Sequence, residues 1–172
     1  MALNKEPILK RCRYLGISPM VMGVSKESKR NPGANSRKKV SEYGMQLKEK
    51  QKLKFIYGVL EKPFYHYFEI ASKMEGKAGD NLITILESRL DNVVYRMGFA
   101  NSRAEARQLI GHGHFEVNGS RVDIASYLLR AGDVVALCEK SRGNDKMKAI
   151  VEANSARPIS EWIVCNCETF DA

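Results

Sequence analysis

An Asn-Gly dipeptide at positions 118 and 119 separates two short runs suited to strands, Phe115 to Val117 and Ser120 to Val122. Both central positions of a type I′ turn need positive φ, which this pair tolerates, so the segment predicts a tight antiparallel hairpin. Ala131-Gly132 is a second turn signal, and Asp133 to Glu139 predicts the next strand. Upstream, Ser102 with Glu105 three residues on forms a capping box for the helix RAEARQLIG. Helix followed by hairpin and strand is the plan of a small helix-plus-antiparallel-sheet module.

The stretch before it is helical in pattern. Asp80 caps NLITILESRLDNVVYRMG, where Leu82, Leu86, Leu90, Val93, Val94 and Met97 fall at helical spacing and Gly98 marks the end, predicting one helix. Ser41 caps SEYGMQLKEKQKLKFIYGV, with Leu47, Leu53, Ile56, Val59 and Leu60 as apolar candidates. Lys48, Lys50, Lys52 and Lys54 crowd its exposed side. Gly58 and Pro63 place a break between residues 58 and 63, after which FYHYFEIASKM reads as a helix with an aromatic buried side. GKAGD reads as a linker, Lys146 to Ala153 as a short helix and Trp162 to Cys167 as a strand.

Charge separates the ends of the chain. Of 172 residues, 28 are Lys or Arg and 20 are Asp or Glu. Residues 1–62 hold 15 basic and 5 acidic residues; the remainder holds 13 and 15. The whole positive excess lies in the first third, which points to a polyanionic partner for that part. SKESKRNPGANSRKKV is too polar to bury a core, so residues 1–40 are expected to form a basic extended arm. The division expected is arm 1–40, helical domain 41–85 and module 86–172 with extra strands, an α+β fold.

No apolar run approaches the length of a membrane span, and MALNKEPILKRCRYLG lacks a secretory pattern, so a cytoplasmic location is expected and no membrane partner. Cys12, Cys138, Cys165 and Cys167 do not have the spacing of a disulfide framework.

Arg103 and Arg107, four apart on one helix, admit two readings. They are a solvated pair, or they hold adjacent phosphates near a helix N-terminus. Their like charges oppose one another unless an anion lies between them, which favours phosphate. His112 and His114 flank Gly113 at the other end of that helix, and no cysteine or acidic pair stands at metal-ligand spacing beside them. They read as donors to RNA or to backbone, and no metal or other cofactor is expected. Arg89-Leu90-Asp91 resembles the triplet carrying the catalytic aspartate of pseudouridine synthases. Here it falls within the predicted helix, and those enzymes need a far larger catalytic domain. Asp91 is expected to meet a basic side chain or cap a loop, and no enzyme activity is expected.

RLDNVVYRMGFANSRAEARQLIGHGHFEVNG, with VDIASYLLRAGDVV after it, closely resembles bacterial and organellar ribosomal protein four of the small subunit, the uS4 family. SEYGMQLKEKQKLKFIYGVLEKPF resembles the preceding helical region of that family, and PILKRCRYLG does so more weakly. The resemblance implies a helical domain carrying an S4-type RNA-binding module, and direct, early binding to small-subunit rRNA during assembly. It puts Arg103, Arg107, Gln108, His112 and His114 on the RNA-facing helix and turn. It also puts the basic stretch with Arg37, Lys38, Lys39, Lys48, Lys50, Lys52 and Lys54 against RNA. A place beside ribosomal protein five of the small subunit, near where mRNA enters, and an influence on decoding accuracy are further implications. Many members bind zinc through four N-terminal cysteines. Only Cys12 stands here, with Leu9 three residues before it, so the chain resembles the zinc-less form. RNPGANSRKK replaces a YPPGQHG-like piece. Ending at Phe170-Asp171-Ala172, the chain also reads as a C-terminally short form. A stand-alone RNA-binding regulator or assembly factor is the alternative function.

Overall fold

The computed structural model describes residues 7–26 and 41–164. Two compact units divide within one helix, residues 1–66 and 67–172.

In the first unit, α1 (Ile8–Leu15) is followed by a 3-10 turn (Pro19–Met22). Part of the expected extended arm is therefore helical. Ile8, Leu9, Cys12 and Leu15 are apolar there, and Cys12 and Leu15 fall on one face and pack against Phe55 of α2 (Glu42–Ile56). That contact supplies what an eight-residue helix lacks by itself. Ser41 caps α2 as expected, its Oγ accepting from Gly44 N at 3.2 Å. Val59 is buried as expected, but Leu47 and Leu60, expected in the core, are exposed, and Phe55 and Tyr57 are buried instead. The break falls after α2, and α3 (Glu61–Lys73) begins two residues before Pro63, where the missing N–H costs no helical bond.

The second unit contains α4 (Ala78–Glu87), α5 (Leu90–Arg96) and α6 (Arg103–Gly111). Strands β1 (Phe115–Val117), β2 (Ser120–Arg121) and β3 (Val135–Leu137) follow, then α7 (Glu139–Arg142) and α8 (Asp145–Asn154). Asp80 lies in the first turn of α4 rather than at its cap, which is Lys77. The helix expected from residue 81 to 98 is two helices. Ser88 to Asp91 leave the helical ladder to bond a distant loop: Leu90 N to Tyr127 O at 2.9 Å, Asp91 N to Ala125 O at 3.1 Å, and Leu129 N to Ser88 O at 2.8 Å. Arg89-Leu90-Asp91 thus stands at a helix start, not inside a helix.

The sheet order is β2-β1-β3, antiparallel throughout. Asn118 (φ 51°) and Gly119 (φ 75°) make the predicted turn. Asn118 does more than turn the chain. Its Oδ1 accepts from Val134 N at 2.9 Å and its Nδ2 donates to Asp133 Oδ1 at 3.0 Å, tying the hairpin to the approach of β3. Phe115, Val117, Val135 and Leu137 face α5 and α6 in one core, with the Phe99 and Phe115 rings 6.0 Å apart. Residues 162–164 are turn and coil rather than strand; the rest of the strand expected from Trp162 to Cys167 lies outside the described residues.

Candidate nucleic-acid interface

Opening the helix at Arg89 brings a carboxylate into the module's interior. Asp91, 1% exposed, accepts from Arg89 Nε at 3.0 Å and Nη2 at 2.8 Å, and from Arg107 Nε at 2.6 Å. Arg89 also donates through Nη1 to the Tyr67 hydroxyl. Burial works against the Arg89 charge, but the Asp91 carboxylate and then Tyr67 together offset it, raising the guanidinium pKa above its ordinary value.

This network changes the reading of α6. Ser102 Oγ caps it by accepting from Glu105 N at 3.3 Å, and Glu105 Oε2 accepts from Asn101 N at 2.8 Å. The expected exposed arginine pair is absent. Arg103 is only 7% exposed; its Nε donates to Asn92 Oδ1 at 2.8 Å and its guanidinium lies 4.5 Å from the Tyr95 ring centroid. Arg157 lies 4.8 Å from the same ring. Arg107, with 20% of its side chain exposed, reaches inward to Asp91. The physical cause is the packing of α6: Ala106, Leu109 and Ile110 enter the core, and the neighbouring face meets Asp91, Asn92 and Tyr95 of α5.

At the far end of α6 the surface opens. Gln108 and His112 are exposed and His114 is half-buried. His114 Nδ1 lies 2.9 Å from Ser141 Oγ, and the two imidazoles are 6.1 Å apart, edge to face. Burial, then the charges of His112 and Arg121, lower the His114 pKa. Arg121 donates through Nη2 to His112 O at 3.2 Å. Its guanidinium lies where a side chain on Gly113 would begin, so Gly113 both adopts φ 72° and admits Arg121. With Glu116, Glu139, Lys140 and Cys138, these residues line a cleft of about 540 Å³. Sequence reasoning found His112 and His114 but missed Arg121, Lys140 and Ser141. The signal for Arg121 was the turn itself, because a two-residue loop sets Arg121 opposite Glu116. The cleft offers imidazole, guanidinium, ammonium and hydroxyl donors that can meet phosphate and ribose oxygens, alongside the carboxylates of Glu116 and Glu139.

On α2, three of the four predicted lysines meet carboxylates. Lys50 and Lys54 grip Glu61 at 2.6 and 2.7 Å, and Lys52 meets Glu49 at 2.6 Å. The hydrogen bonds from Lys50 and Lys54 pull the Glu61 pKa down to about 2. Lys48 lies 6.0 Å from the Tyr14 ring centroid. Arg37, Lys38 and Lys39 lie outside the described residues. Cys12 does not fit a zinc ligand. It packs among Leu15 and Phe55, and burial raises its thiol pKa, away from the thiolate a metal requires.

Residues 88–135 match the family described as the S4 domain, and residues 4–87 match the ribosomal protein S4/S9 N-terminal domain. A protein of Agathobacter rectalis named small ribosomal subunit protein uS4 is 53% identical over 168 residues, 98% of this chain and 85% of that one. Proteins of the same name from Lachnospira eligens and Clostridioides difficile are 51% and 56% identical. They cover 99% and 84% of this chain, and 86% and 71% of their own length.

The chain belongs to the uS4 family.

The two uS4 family matches meet between residues 87 and 88, where α4 ends and the chain turns into the Arg89 bridge. The S4 domain match takes in α5, α6 and the hairpin, and so holds Asp91, Arg103, Arg107, Gln108, His112, His114 and Arg121. Lys140 and Ser141, on the other wall of the cleft, fall beyond it. Among the described residues no helix is long and apolar enough to cross a membrane.

Proposed function

We propose that this chain is a structural constituent of the small ribosomal subunit that binds its rRNA directly, by charge and shape rather than by chemistry. The observation that carries this reading is about half identity over nearly the full chain to small ribosomal subunit proteins uS4. The cleft supports it with the donors of His112, His114, Arg121 and Lys140. Gln108, His112, His114, Arg121 and Lys140 contact RNA in the second unit, and Arg107 does so from the edge of the Asp91 network. Arg103 holds α6 from below. Arg37, Lys38, Lys39 and the α2 lysines meet RNA in the first unit. Exposed ion pairs such as Lys50–Glu61 are weak, so phosphates can compete for these lysines.

Early binding during assembly, contact with ribosomal protein five of the small subunit, proximity to mRNA where it enters and an effect on decoding accuracy belong to the same proposal, as does a cytoplasmic ribosomal location. Sedimentation of a tagged copy through a gradient tests it. Co-migration with the small subunit, together with rRNA binding that weakens linearly in log salt, is expected. A protein that stays free at the top of the gradient overturns it.

A further inference from the structure

Tyr14 is 64% exposed although two cations lie near its ring. On α1, residues 11 and 14 are one turn apart and share a face, while Cys12 and Leu15 turn inward to Phe55. The Arg11 guanidinium lies 5.9 Å from the Tyr14 ring centroid and Lys48 Nζ, from α2, lies 6.0 Å from it. Arg11 Nη2 donates to Gln51 Oε1 at 3.3 Å, so the group is tied across two packed helices.

We propose that Tyr14, Arg11 and Lys48 form a stacking platform for one unpaired RNA base, with the two cations taking the phosphates beside it. This rests on the rRNA-binding reading and adds a contact in the first unit. A largely exposed aromatic ring accepts any nucleobase, and a duplex hides the faces of its bases, so the occupant is single-stranded. Charge selects the same partner: residues 1–62 carry 15 Lys and Arg against 5 Asp and Glu. An acidic peptide would satisfy the cations but would leave the ring without a role.

The full chain is titrated onto a short oligoadenylate carrying one 2-aminopurine, and separately onto small-subunit rRNA of Agathobacter rectalis. Stacking on Tyr14 quenches the fluorescent base. Tyr14→Leu is expected to abolish the quench and weaken oligonucleotide binding by about five- to a hundredfold. It leaves the melting curve and the salt slope unchanged, because the ring is exposed and uncharged. Tyr14→Phe keeps both quench and affinity. Lys48→Gln keeps the quench and lowers the salt slope by about 1. Unaltered quench and affinity in Tyr14→Leu, with wild-type rRNA binding intact, overturn the platform alone. Intact RNA binding with lost co-sedimentation assigns Tyr14 to a protein partner and also overturns it. A wild-type chain that binds neither RNA fails the underlying reading instead.

Discussion

Arg107 Nε donates to Asp91 Oδ2 at 2.6 Å, and Asp91 is shared with Arg89 on its other side. One buried carboxylate therefore bonds two guanidinium groups, one at the N-cap of α5 and one on α6, and α6 is locked to the start of α5 through it. Such a group is costly to disturb, since removing one member leaves buried charge without its counterpart.

Asp91→Ala should accordingly lower stability by about 3–5 kcal/mol in urea unfolding. Replacing Arg103 and Arg107 together by Ala should destabilise as well, because Arg103 is buried on Asn92 and Tyr95. The spacing alone suggested an exposed pair, solvated or holding phosphates. A double variant with wild-type stability would show that the network contributes nothing.

Asn118→Ala should cost about 1–2 kcal/mol, through the lost preference for positive φ and two lost hydrogen bonds to the β3 approach. Hydrogen exchange checks it: Val134 N–H should exchange faster while α4 amides do not change. Uniform protection would mean that β3 is held without this side chain.

His114 titrates below its ordinary value of 6.5 because burial, His112 and Arg121 all disfavour the cation. The folded state thus prefers neutral His114. Its contribution is complete above 6.5 and is lost as pH falls from 6.5 through the folded pKa. The melting temperature should fall across that window, and His114→Asn, which can still bond Ser141, should flatten the fall. Equal slopes in both proteins would place the acid sensitivity elsewhere.

Glu61, held near 2 by Lys50 and Lys54, is depressed, so its contribution is present above 4.5 and fades as pH falls toward about 2. With 53% of that side chain exposed, Glu61→Gln should cost under roughly 1 kcal/mol. Releasing two lysines should tighten rRNA binding and steepen its salt dependence. Weaker binding in E61Q, measured at matched salt, would mean that the ion pairs position the lysines rather than occupy them.

Cys12 and Cys138 are buried and burial raises both thiol pKa values, so alkylation mapped by peptide mass spectrometry should be slow at both sites until the chain unfolds. Rapid labelling of Cys12 under native conditions would mean that the contact between α1 and α2 opens readily.

Features set by a few neighbouring residues were legible in the sequence. The Asn118-Gly119 turn, the Ser41 and Ser102 caps and the α2 break need only the dihedral preferences and hydrogen-bonding reach of adjacent residues. The family, too, could be read from the order of two blocks of residues. What the tertiary structure decided involves partners far apart in the chain. Periodicity ran unbroken through Ser88 and Arg89, but backbone bonds to residues 125–129 outcompeted the local helix. Likewise α1, only eight residues long, is too short to hold by itself, and Phe55, forty residues on from Leu15, completes its core. The role of Arg103 and Arg107 turned on the same distinction. Their spacing is a local property, whereas their burial depends on where Asp91, Asn92 and Tyr95 arrive, and that is settled only when α5 and α6 pack.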